Sequence, residues 1–187
     1  MDVKMCDVPR FEALVAALRK ALRDVERGRY RLRDLALVSV LVFTGCRVGE
    51  LLRLRVSDLD SESRTVRILQ EKKGCEFPRT VPVPSDLFWS IVERYVRTLP
   101  FRDSKLFPIS DRQVRNVVYK FSLRYLGRRI RPHAIRHSYA TFLLRKTRDL
   151  ELVRRLLGHR DYSVVKAYLD YTQEDLEESL REVFRDL

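Results

Sequence analysis

Helical spacing of apolar residues governs nearly the whole 187-residue chain, and one short interval breaks it. After Pro9, residues Phe11, Leu14, Val15, Leu18, Leu22 and Val25 recur on one helical face, and Gly28 marks the end. A second, mostly apolar helix is predicted over Leu32–Thr44, stopping at Gly45. A short third follows over Val48–Leu54, with Leu51, Leu52 and Leu54 facing the core. Further helices are predicted from the Ser85-Asp86 cap to about Thr98, and from the Ser110-Asp111 cap to Leu126 before Gly127. Two more run from Pro132 to Lys146 and from Asp149 to Leu157 before Gly158. Ser163–Tyr171 and Gln173–Phe184 complete the helical reading. The break lies between these blocks. Thr65–Leu69 and Arg79–Val83 are β-prone, Gly74 reads as a hairpin tip, and Pro82 belongs at an edge or a strand end because it has no N–H to donate. The expected fold class is mainly α with a small antiparallel sheet of two or three strands, an α+β chain. No Gly-, Pro- or Ser-rich linker divides it, so residues 1–187 read as one domain.

No apolar run approaches the roughly 18 residues of a membrane helix, and the N-terminus lacks the apolar stretch of a signal peptide. Cys6, Cys46 and Cys75 are an odd count without metal-like or redox spacing, so a reducing compartment is the default. A soluble, cytoplasmic protein with no membrane partner is expected. Charge narrows the class further. The formal net charge is +12, yet Gln173–Leu187 holds six acids against two arginines, which leaves +16 on residues 1–172. Such a basic body suits a binder of the nucleic-acid backbone.

Four dispersed segments carry candidate chemistry. In Thr44-Gly-Cys-Arg47-Val-Gly-Glu50-Leu, the glycine ends one helix and Arg47 stands near the start of the next, so packing holds the guanidinium. In Pro132-His133-Ala-Ile-Arg136-His137, His133 and Arg136 share one face of a first helical turn, where free backbone amides also favour a phosphate. A metal reading would use His133, His137 and His159, but a zinc peptidase needs Glu beside the first histidine and Ala134 stands there. Leu156-Leu-Gly158-His159 sets an imidazole at the mouth of a helix C-terminus, and Tyr162, Tyr168 and Tyr171 follow. Singly, each has an ordinary structural explanation: a solvated arginine, a capping histidine, core tyrosines.

Together, in this order, they resemble the tyrosine recombinase (phage integrase) family over roughly residues 9–180. The shared pattern is an Arg in Thr-Gly-x-Arg-x-x-Glu-Leu, a hairpin Lys, His-x-x-Arg-His, Leu-Gly-His, and a Tyr nine residues after that histidine. Here those are Arg47, Lys72 or Lys73, His133 with Arg136, His159, and Tyr168. The adjacent lysines leave the hairpin residue open. Tyr171 lies at the wrong spacing from His159.

The resemblance implies the catalytic-domain fold of that family, lacking its usual N-terminal DNA-clamping domain. It implies site-specific recombination through a 3′-phosphotyrosine on Tyr168, needing no metal, ATP or other cofactor. Arg47 and Arg136 would stabilise the phosphorane, as planar and permanently charged forks. His133 would take the phenol proton, His159 would add a hydrogen bond, and a hairpin lysine would protonate the leaving oxygen. Glu50 would orient Arg47. Double-stranded DNA is the implied partner, met by the basic stretch Arg112, Arg115, Lys120, Arg124, Arg128, Arg129 and Arg131. Self-association is implied too, as a tetramer on DNA and weakly or not at all without it, with 173–187 docking on a neighbouring protomer. Two alternatives share the residues: type IB topoisomerase-like relaxation, and a non-catalytic DNA-binding module.

Overall fold

Leu32–Thr44 (α2) is apolar around most of its circumference, and such a helix is stable only when surrounded. It forms the centre of the molecule, with every residue from Leu35 to Val42 buried. The computed structural model describes residues 8–158 other than Lys73 and Gly74, and the backbone alone of 71, 72 and 75–77. Around α2 pack α1 (Phe11–Glu26), α4 (Asp86–Val96), α5 (Asp111–Leu126) and α6 (Pro132–Thr147). The short α3 (Val48–Leu51) follows α2, and α7 (Leu150–Leu157) packs on α6. The α6–α7 contact makes a second small apolar cluster of Tyr139, Ala140, Leu144, Val153 and Leu157. Among the described residues no helix is long and apolar enough to cross a membrane.

The sheet is three-stranded and antiparallel, in the order β1 (Leu59–Asp60), β2 (Thr65–Lys72), β3 (Cys75–Pro82). A mainly helical chain with a small antiparallel sheet is therefore what the periodicity called for. Both long strands extend further than their β-prone cores, because the ladder continues through the polar residues to Lys72 opposite Cys75. Pro82 ends β3, and Pro78 within it is tolerated because β3 lies at the sheet edge. Residues paired directly across a ladder share a face. Val66, Ile68 and Val81 are fully buried, so the period of two places Gln70 and Arg79 on that same inner face.

Most helix boundaries fall where caps and glycines put them. Ser110 and Gln113 cap α5 reciprocally, Asp149 accepts from Leu152 N–H at the start of α7, and Pro132 is the first residue of α6. α3 is shorter than its spacing predicts. The chain leaves it after Leu51 to run beside Ser104–Leu106, yet Leu54 is still buried and its carbonyl accepts from Leu106 N–H. Gly45 ends α2 with φ +59°. A Cβ there would lie 2.5 Å from Tyr139 Cδ1, so only glycine allows the end of α2 to come this close to α6.

Candidate active site

That close approach positions the most buried cation of the site. Arg136, on the first turns of α6, is 3% exposed. Its Nη1 donates to Gly45 O at 2.6 Å and its Nη2 to Leu157 O at 2.9 Å. The guanidinium thus bridges the C-termini of α2 and α7, where unpaired carbonyls and the helix dipoles favour positive charge.

Arg47 follows two residues after Gly45, just before α3. Its backbone N–H donates to Glu50 Oε2 at 2.8 Å, and its Nη1 lies 3.2 Å from Oε1. Glu50 is 4% exposed whereas the Arg47 side chain is 47% exposed. The carboxylate therefore anchors the base of an arginine whose outer edge meets solvent. Burial alone would raise the Glu50 carboxyl. Hydrogen bonds and charge from Arg79, the Arg47 amide and the charge of Arg136 outweigh it, and bring the pKa down to about 2. One carboxylate faces three guanidiniums, so the balance among these four groups is positive.

Arg47, His133 and Arg136 line one cleft of about 530 Å³, with Arg115 and Tyr119 from α5 and Arg131 at the foot of α6. His133 is exposed. Desolvation against the cleft wall, then the charges of Arg136 and Arg47, lower its pKa below the ordinary value. A neutral imidazole beside two guanidiniums can accept a proton at physiological pH. Cys46 also lines the cleft, but burial pushes its thiol up to about 11, so it stays protonated. A cleft with this lining suits a phosphate diester whose attacking group must lose a proton.

Two contributors escaped the sequence reading. Arg79, treated there only as the start of a strand, grips Glu50 with Nη1 at 3.1 Å and Nη2 at 2.8 Å. Its Nε donates to Leu156 O at 2.9 Å. Gln70, diagonal to it on β2, donates from Nε2 to Gly158 O at 3.1 Å. The legible signal was a polar residue at an inward position of each strand, in step with Val66 and Ile68 on one and Val81 on the other.

Comparison with known proteins gives the family and the fold. The model of the Phage integrase family matches residues 11–175. The chain belongs to the phage integrase family. Tyrosine recombinase XerC of Pediococcus pentosaceus is 31% identical over 185 residues, covering 93% of this chain and 61% of that protein. Tyrosine recombinase XerA of Pyrococcus furiosus is 30% identical over 158 residues, covering 80% of this chain and 54% of the relative. The chain thus spans little more than half the length of these relatives. A XerH site-specific recombinase bound to palindromic difH substrate, a post-cleavage complex, superposes with a TM-score of 0.74 at 24% identity. The match covers 95% of this chain and 53% of that one, a likeness of fold.

In this integrase-family chain the remaining expected site residues divide in four. Arg115 and Arg131 stand at the cleft, Arg115 paired with Asp111. Arg112 and Lys120 are exposed on α5, and Arg128 and Arg129 are exposed in the turn before α6. Arg124, nine residues after Arg115, lies about two and a half turns on, on the opposite face of α5. It is bound to Asp24 at 2.8 Å and to Arg29 O at 3.0 Å, over the rings of Tyr30 and Tyr125. Its visible work is to tie α5 to α1. His159, Tyr168, Lys73 and the side chain of Lys72 lie outside the described residues, as does the predicted docking segment 173–187.

Proposed function

We propose that this chain is the strand-cleaving and rejoining domain of a site-specific DNA recombinase. The observation that carries the reading is the meeting of Arg47, His133 and Arg136 in one cleft, from segments distant in sequence. The Tyr168 hydroxyl loses its proton to His133 while its oxygen bonds to a DNA phosphorus. The P–O5′ bond breaks, and the departing oxygen takes a proton from Lys72 or Lys73. Arg47 and Arg136 bear the negative charge that grows on the non-bridging oxygens, with a further hydrogen bond from His159. The ester energy is kept in the 3′-phosphotyrosine, so a 5′-hydroxyl from a second duplex can reverse the step without ATP, and no metal is required. Double-stranded DNA is the proposed partner, a reading supported by the XerH site-specific recombinase bound to its palindromic difH substrate.

The test is covalent trapping on a nicked DNA substrate that loses its 5′-hydroxyl fragment after cleavage. A detergent-resistant adduct carrying the 3′-phosphate on the peptide that contains Tyr168 is expected. Absence of any adduct sinks the enzymatic reading, and attachment at Tyr171 sinks the assigned nucleophile.

The acidic segment after Tyr168, with Leu176, Leu180, Val183 and Phe184 at helical spacing, is read as docking on the basic body of a neighbouring protomer. Deleting residues 174–187 should then reduce the DNA-bound assembly from tetramer to smaller species in a mobility-shift titration. An unchanged ladder of complexes ends that idea.

A further inference from the structure

The last carbonyls of α7 are held by side chains from three separate elements. Leu156 O accepts from Arg79 of β3, Leu157 O from Arg136 of α6, and Gly158 O from Gln70 of β2. Carbonyls at a helix C-terminus have no partner within the helix, so these donors satisfy them where Gly158, at φ +67°, ends it. The Gly158 carbonyl belongs to the peptide bond that leads into His159. The same Arg79 guanidinium spans both oxygens of Glu50, and Glu50 holds Arg47 by its amide and its guanidinium. Arg79 is 11% exposed and therefore has little freedom to reorient.

We propose that Arg79, assisted by Gln70, is a positioning residue that locks the lysine-bearing hairpin, the Arg47 anchor and the entry to His159 into one rigid unit. This rests on the recombinase reading above. Strand β3 is joined through Arg79 to α3 and to α7 at once. Lys72 stands at the far end of the ladder whose inner face carries Gln70 and Arg79. Neither residue needs to touch DNA. Their effect is on the mutual placement of groups that do, and a misplacement of about 1 Å can cost about 10²-fold in rate. A lysine at position 79 keeps the charge opposite Glu50 but cannot bond both carboxylate oxygens and a carbonyl from one planar group.

The experiment is single-turnover cleavage of the nicked substrate by the 187-residue chain, reading rate constant, amplitude and DNA affinity separately. For Arg79→Ala the rate constant should fall about 10- to 100-fold, with amplitude near wild type and DNA affinity within about threefold. Arg79→Lys should recover less than a tenth of the lost rate, and Gln70→Ala, the milder change, should slow cleavage several-fold. A wild-type rate constant in Arg79→Ala overturns the proposal. So does a loss confined to amplitude, which marks a folding defect alone, and so does full recovery by lysine. If the wild-type chain forms no adduct, the recombinase reading falls and takes this inference with it. Adduct formation with indifferent variants overturns this inference alone.

Discussion

Arg136→Ala should cleave DNA about 10² to 10³ times more slowly than the wild-type chain, as loss of one preorganised donor to a developing oxyanion does. Single-turnover cleavage of the nicked substrate measures it. The size follows from the placement of the side chain. Arg136 is almost fully buried, and two carbonyls from the ends of α2 and α7 fix the plane of its fork. Such a group needs little reorganisation when charge appears in front of it, and the shielded setting strengthens each bond to a phosphate oxygen. Alanine also orphans Gly45 O, at about 1–3 kcal/mol for a buried acceptor left unpaired, and leaves Leu157 O with only the longer bond from Gln70 Nε2 at 3.5 Å, so part of the damage is to stability. Arg136→Lys separates the two effects. An ammonium restores charge near the cleft but cannot satisfy both carbonyls in the plane of a guanidinium. It should therefore raise the folded fraction above that of alanine while the rate constant stays depressed at least tenfold. A rate constant for Arg136→Ala close to wild type would remove this arginine from the chemistry.

The elements were legible where local rules dominate. Gly45, Pro132 and the Ser110–Gln113 cap fall at the ends their residue types dictate. The helical face of α1 buries Leu14 and Leu18 as its spacing demands. Arg47, His133 and Arg136 stand out by their order along the chain, and all three line one cleft. Local rules could not show what depends on contact across the chain. Glu50 reads as a partner of Arg47 alone until Arg79, from a strand 29 residues on, is seen to grip it as well. Arg124 reads as one of a run of exposed cations until Asp24, 100 residues earlier, is seen to claim it. Charge and spacing mark a residue as a candidate, but the partner that decides its role comes from another element.

Glu50→Gln should destabilise the chain by about 3 kcal/mol at pH 7, comparable with the cost of breaking a buried ion pair by removing one member. Glutamine fills the same space but cannot balance Arg79, whose guanidinium is 11% exposed and is bonded to both carboxylate oxygens. The pH dependence identifies the cause. The folded carboxyl has a pKa of about 2 against an ordinary value of 4.5, so the group is depressed by folding. Its contribution is present in full above the unfolded pKa and is lost as pH falls from about 4.5 towards 2. The shift corresponds to about 3 kcal/mol, in line with the expected cost of the substitution. Urea unfolding of wild type and Glu50→Gln at pH 7, 5, 4 and 3 should show a wide gap at the first two values that narrows through the last two. Adding Arg79→Leu to Glu50→Gln should restore part of the lost stability, because the uncompensated charge goes with it. It should restore no cleavage, because the carboxylate that pairs with the Arg47 guanidinium is still missing. A stability gap that stays constant from pH 7 to pH 3 would mean that the ionised carboxylate is not what Arg79 holds.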